Sequence, residues 1–213
     1  MNADQLKWLR ILGDVVGRRG ENLYLVGGVV RDLLLETTPT DYDVAIDGDV
    51  DGFCAELAPL GATLGARSQF RTMKVHFEDK ILDVATSRQE HYEVPGALPV
   101  IGRAPIDVDL RRRDFTINAM AISLLPDSFG ELLDPHDGME GLQRGRIDVL
   151  HEQSFRDDPT RIFRAVRYEQ RLGFDIGPVT ASYLQRDKQY ITAISGDRLH
   201  NELERIFSEE SPS

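Results

Sequence analysis

Two carboxylates separated by one residue, Asp41 and Asp43, stand at the head of a β-type stretch that continues through Val44, Ala45 and Ile46. Residues two apart on a strand project to one face, so both acids would stand together. Like charges that close are costly unless a cation neutralises them. A pair of divalent ions about 4 Å apart, of the kind that serves nucleotide transfer, answers that need. Asp83 is a candidate third carboxylate. Its neighbours Leu82 and Val84 face away from it, so it shares a face with Ile81 and Ala85, and it reads equally as a solvated residue on the open side of its strand.

Three further groups of residues could handle a phosphorylated ligand. Gly27-Gly28-Val29-Val30-Arg31-Asp32 reads as a strand that turns through paired glycines into a helix, a turn whose free N–H groups can cradle a phosphate. Arg31, one helical turn in, could add a charged fork to the same anion. Arg111-Arg112-Arg113-Asp114-Phe115 sets a lysine-free arginine cluster, suited to planar phosphate contacts, against an acid. Asp157-Asp158-Pro159-Thr160-Arg161 opens a helix with Asp158 as cap and Pro159 in the first turn. Asp158 and Arg161 are neighbours on one helix face, where an acid and an arginine can meet the Watson–Crick edge of a base. Read singly, each group is also an ordinary turn, a solvated helix end or a capped helix.

The elements that position these residues follow from periodicity. Apolar residues at helical spacing run over 4–19; strands are expected at 23–26 and 42–46, and helices at 29–35 and 50–60. Residues 71–77 and 80–85, joined by Glu78-Asp79, give a hairpin signal. Residues 88–105 carry three prolines without a period and read as a loop. Strands follow at 119–124 and 146–150, and helices from 158 onward, at 179–191 and at 198–207. The reading is α/β, followed by an all-helical segment expected to expose an apolar face or to rely on more chain. With 25 basic and 36 acidic residues the net charge is −11, the wrong sign for gripping nucleic acid over the whole surface. The N-terminal residues do not read as a secretory signal. One cysteine excludes an internal disulfide, no apolar run is long enough for a membrane span, and a cytoplasmic location is expected.

Taken together, LVGGVVRDLLL (residues 25–35), Asp41-Tyr42-Asp43, RRRDFTINAMA (111–121), DPHDGMEGL (134–142) and DDPTRIFRAVRYEQRLGF (157–174) resemble, in order and spacing, the class II tRNA nucleotidyltransferase and bacterial poly(A) polymerase family. The resemblance implies a polymerase-β-like head with a mixed sheet and flanking helices over residues 1–149 and an all-helical neck over 150–213, with the family's body and tail domains absent. It implies that Asp41 and Asp43 hold catalytic Mg²⁺; Asp83, from its strand position, is the candidate third catalytic acid. Gly27, Gly28 and Arg31 would bind the triphosphate, and Arg113 and Asp114 would contact the nucleotide. Asp158 and Arg161 would read the base, with Arg164 and Arg167 lending charge. The implied activity is template-independent addition of CMP and/or AMP, from CTP or ATP, to the 3′ end of an RNA, tRNA above all. Alternatives of the same chemistry or parts are poly(A) addition and a nucleotide-binding subunit that needs a separate RNA-binding chain. Where the family's base-reading motif commonly begins Glu-Asp, this sequence has Asp157-Asp158, which leaves the choice of nucleotide open.

Overall fold

The computed structural model describes residues 3–39, 41–67 and 72–209. They divide into two compact units that interleave along the chain: Met1–Gln89, Arg103–Arg111 and Asn118–Pro135 form the first, and Glu90–Gly102, Arg112–Ile117 and His136–Ser213 the second.

The first unit is built on a mixed sheet. Along the chain come α1 (Ala3–Arg19), β1 (Asn22–Val26), α2 (Gly28–Leu34), β2 (Tyr42–Asp47), α3 (Val50–Leu57), β3 (Thr63–Arg67), β4 (Met73–Phe77) and β5 (Lys80–Thr86). β6 (Arg88–His91) and β7 (Val100–Arg103), whose residues from Glu90 to Gly102 belong to the second unit, precede α4 (Ile106–Arg111), β8 (Ala121–Ser123) and β9 (Leu132–Leu133) of the first. The strand order is β3-β4-β5-β2-β1-β8-β9; β2 and β5 run parallel and the other neighbours antiparallel. Alternation explains the layers. Leu23, Leu25, Val44, Ile46, Leu82 and Val84 are buried on one face, with Trp8, Leu9 and Leu12 of α1 and Phe53, Cys54 and Leu57 of α3 also in the core. Trp8 meets Tyr42 edge-on at 4.9 Å. On the other face, Ile106 and Leu110 of α4 cluster with Tyr24, Val26, Ala45 and Ala121. Asp49 caps α3 by accepting from Asp51 N and Gly52 N, a device worth about 1 kcal/mol.

The second unit is mostly helical: α5 (Gly138–Gln143), β10 (Arg146–Ile147), α6 (Ser154–Asp157), α7 (Thr160–Leu172), β11 (Asp175–Ile176), α8 (Pro178–Asp187) and α9 (Gly196–Phe207). Gly173 ends α7 at φ 64, a left-handed position that favours glycine. Apolar side chains remain exposed here, notably Phe207 of α9 and Val179 of α8. Among the described residues no helix is long and apolar enough to cross a membrane.

Four expectations change in detail. Residues 88–105 are not all loop, because β6 and β7 pair within them; each is four residues long and without a buried side, so no apolar alternation marks them. The helical segment is interrupted by a parallel pairing of β10 with β11, and the helix expected over 179–191 becomes a 3-10 helix from Lys188 onward. The strand expected from residue 71 is described from Met73, Arg71 lying outside the described residues.

Candidate functional site

In the first unit, strand register assembles the acidic face. Tyr42, Val44 and Ile46 point into the core, so Asp43 lies on the opposite side with Ala45. Asp41 precedes the strand and is exposed, as is Asp43. On β5, Leu82 and Val84 are buried and Asp83 half-buried between them, and the parallel register sets Asp43 directly opposite Asp83. The Asp83 carboxylate is engaged by Lys74 Nζ, at 3.0 and 3.2 Å from its two oxygens. Among the described residues no group of three or more His, Cys, Asp or Glu stands close enough together to hold a metal ion. A hard ion such as Mg²⁺ keeps several waters and uses one or two carboxylates beside substrate phosphates. Asp41 and Asp43, hard oxygen donors at an open strand end, match that donor set.

The glycine turn lies beside this strand end. β1 pairs with β2 up to Leu25 opposite Val44, so the chain leaves β1 at Gly27 next to the start of β2. Gly27 has φ 74, a conformation a side chain would strain, and its N–H donates to Met120 O. Gly28 then begins α2 with no side-chain cap. Arg31 does not stand out toward a ligand. It is 2% exposed, donates Nε and Nη2 to Asp32 Oδ1 and Nη1 to Asn118 Oδ1, and underlies Gly28. From this position it braces the turn.

In the second unit, the arginines are distributed among structural partners. Arg164 donates Nε and Nη2 to Asp114 Oδ2 at 2.8 and 2.5 Å, while Phe115 N donates to Asp114 Oδ1. Burial works against the Arg164 charge, but Asp114 outweighs it and holds the guanidinium protonated, above its ordinary range. Arg161 is 5% exposed and donates to Ser154 Oγ at 2.7 Å and to the Arg112 carbonyl at 2.6 Å. It therefore buttresses the start of α7, and its bond to Asp158 is a backbone one, Arg161 N donating to the Asp158 carbonyl at 3.1 Å. Asp158 Oδ1 accepts from Thr160 N, Thr160 Oγ1 and Arg198 Nη2. Arg167 donates to Glu209 Oε1 at 3.2 Å and lies 5.0 Å from the Tyr168 ring. Arg113 is half-buried. Burial pushes the neighbouring Asp157 carboxyl up, with His151 and Arg161 opposing it.

Sequence reasoning missed three residues of this network. Arg198 of α9 binds both Asp158 and the Gly96 carbonyl. Glu202 of α9, 5% exposed, accepts from Arg205 and faces Arg164 at 4.0 Å. Glu90 joins Arg112 to the Tyr92 hydroxyl. A buried acid and arginine four apart on the apolar side of α9 were the available signal.

Comparison with known proteins places this arrangement. The poly A polymerase head domain family matches residues 23–148, and the family described as the probable RNA and SrmB-binding site of polymerase A matches residues 173–213. An A-adding tRNA nucleotidyltransferase of Geobacter sulfurreducens is 42% identical over 96% of the chain and 24% of its own length. A CCA-adding enzyme in an apo form superposes with a TM-score of 0.94 at 40% identity, covering 100% of this chain and 51% of that one. A CCA-adding enzyme solved in complex with ATP gives 0.86 at 37%, over 100% and 50%. The chain thus spans between about a quarter and about half of the length of these proteins. Since one family matches more than half of it and the fold agrees over its full length, the chain belongs to the poly A polymerase head domain family of nucleotidyltransferases.

Proposed function

We propose that this chain is the nucleotide-transferring part of an RNA 3′-end nucleotidyltransferase that acts on tRNA and adds AMP from ATP. The observation that carries the reading is the meeting, at one end of neighbouring strands, of the Gly27-Gly28 turn with the Asp41 and Asp43 carboxylates. In this reading residues 1–149 are the head and 150–213 the neck. The preference for ATP rests on the 42% identical relative, which is named A-adding.

Nucleotidyltransferases of this family use divalent metals, and Asp41 and Asp43 would hold Mg²⁺. When bound, the ion supplies positive charge to the reacting oxygens and the leaving pyrophosphate. The residues of the chain do the rest. The backbone N–H groups at the start of α2 receive phosphate oxygens, with Arg31 fixing the turn that presents them. The primer 3′ oxygen forms a bond to the α-phosphorus, the bond to pyrophosphate breaks, and the hydroxyl proton passes to solvent. Positioning and charge stabilisation carry this step, without a covalent enzyme intermediate. In the second unit Asp158, with one oxygen committed to Thr160 and Arg198, accepts a base amino group through its other oxygen. Arg113 contacts the nucleotide, and Asp114, held by Arg164 and the Phe115 N–H, positions it.

The test is incorporation with Mg²⁺ into tRNA ending at the discriminator base, at C or at CC, with ATP and CTP offered separately. One AMP added to the CC end, abolished by Asp43→Asn, supports the reading. CTP incorporation at the shorter ends moves the assignment to CC or CCA addition, and unlimited growth on ATP moves it to poly(A) addition. Undiminished activity in Asp43→Asn overturns the assignment of the acids.

A further inference from the structure

Three side chains line up across three adjacent strands of the first unit. Register sets Asp43 of β2 opposite Asp83 of β5, and Asp83 opposite Lys74 of β4. All three lie on the side away from the buried Val44, Leu82 and Val75. The sequence of charges across the row is therefore minus, minus, plus. Like charges directly opposite on a sheet destabilise it, and Lys74 relieves this by sitting 3.0 and 3.2 Å from the two oxygens of Asp83. The partners are 46% and 31% exposed, so this is an ion pair that water and other cations can reach. Lysine suits such an exchange, being a compact charge on a flexible stem.

We propose that Lys74 is the resident counter-cation of Asp83, keeping that carboxylate out of the Asp41–Asp43 site until an arriving divalent cation displaces it. The proposal rests on the reading of Asp41 and Asp43 as metal ligands and deepens it. Asp83 becomes a third ligand recruited by displacement, and Lys74 sets the cation affinity of the site. The third acid is present at the correct register, but its oxygens are taken.

The test is direct binding of Mn²⁺, followed by electron paramagnetic resonance of the free ion, without nucleotide or RNA. Lys74→Gln, at an exposed position, should tighten Mn²⁺ binding about two- to fivefold, the range expected from releasing an exposed ion pair. In an Asp83→Asn background the same substitution should change affinity less than 1.5-fold, because the released carboxylate is no longer there; Asp83→Asn alone should weaken binding. Equal tightening in both backgrounds would reveal a general charge effect and overturn the proposal, as would unchanged affinity in Lys74→Gln. The underlying reading is checked separately with Asp43→Asn. If that variant binds Mn²⁺ as the parent does, the metal site itself is misplaced and the proposal falls with it.

Discussion

Replacing Asp114 by Asn removes a charge and almost nothing else, which makes it a sharp test of how the second unit is held together. The amide oxygen can still accept from Phe115 N, so the local turn is preserved. What is lost is the carboxylate that takes two donors of Arg164, at 2.8 and 2.5 Å, in a site where Asp114 is 8% and Arg164 26% exposed. Breaking a fully buried pair by removing one partner costs about 3–5 kcal/mol. Two features reduce that figure here. A quarter of the Arg164 side chain reaches water, and Glu202, 4.0 Å from its Nη1, keeps part of the compensation. The expected loss is therefore about 2 kcal/mol. Urea unfolding followed by far-ultraviolet circular dichroism measures it as a lower midpoint at unchanged slope. Combining Asp114→Asn with Arg164→Met should cost less than the sum of the two, since most of the penalty in the single variant is the stranded guanidinium. A single-variant loss below about 0.5 kcal/mol, or additivity within that margin, would refute the argument that this pair carries stability.

Three further outcomes follow from particular contacts. A methyl group at Gly13 of α1 would lie 1.9 Å from the Leu124 carbonyl oxygen; Gly13→Ala should thus destabilise by about 3 kcal/mol, seen as a lower melting temperature. A stabilisation of up to about 1 kcal/mol, normal for a helical glycine, would contradict the packing. Burial, with Asp51 and Asp49 adding to it, pushes the Cys54 thiol up to about 12, so a thiol reagent at pH 8 should label it only after denaturant is added, and rapid native labelling would refute this. Burial also raises the Asp157 carboxyl above its ordinary range. The stability tied to its proton is full below the ordinary aspartate range and is lost as pH rises through the raised value. Asp157→Asn should therefore stabilise the fold at neutral pH and show no gain in acid, as paired melting curves against pH would show.

The parts of the fold and site that were legible in the sequence are those written in short-range patterns. Alternation of Tyr42, Val44 and Ile46 against Asp43 is a period-two signal, and it fixed both the strand and the face of the acid. The spacing of Leu9, Leu12, Val15 and Val16 did the same for α1. β6 and β7 escaped because neither has a buried side to impose a pattern. The fate of the arginines was illegible for a different reason. Arg31 finds Asn118 87 positions away, Arg161 finds Arg112 O 49 away, and Asp158 finds Arg198 40 away. Nothing local distinguishes a guanidinium that reaches a ligand from one that ties two segments together.

That distinction reshapes the chemistry of the site. An arginine aimed at solvent would add attraction to any anion. One whose donors are spent on Asp32 and Asn118, or on Ser154 and a carbonyl, adds rigidity instead. Electrostatic stabilisation of a transition state depends on donors that are already in place and do not reorganise as charge moves. In the proposed function, the contribution of Arg31 and Arg161 would lie in the backbone they immobilise, at the glycine turn and the start of α7. Lys74 is the contrasting case, exposed, singly paired and on a flexible stem. A net charge of −11 is compatible with the proposed function on these terms: the motif arginines Arg31 and Arg161 fix geometry, and in that reading attraction of a polyphosphate would fall to backbone dipoles and to a cation held by Asp41 and Asp43.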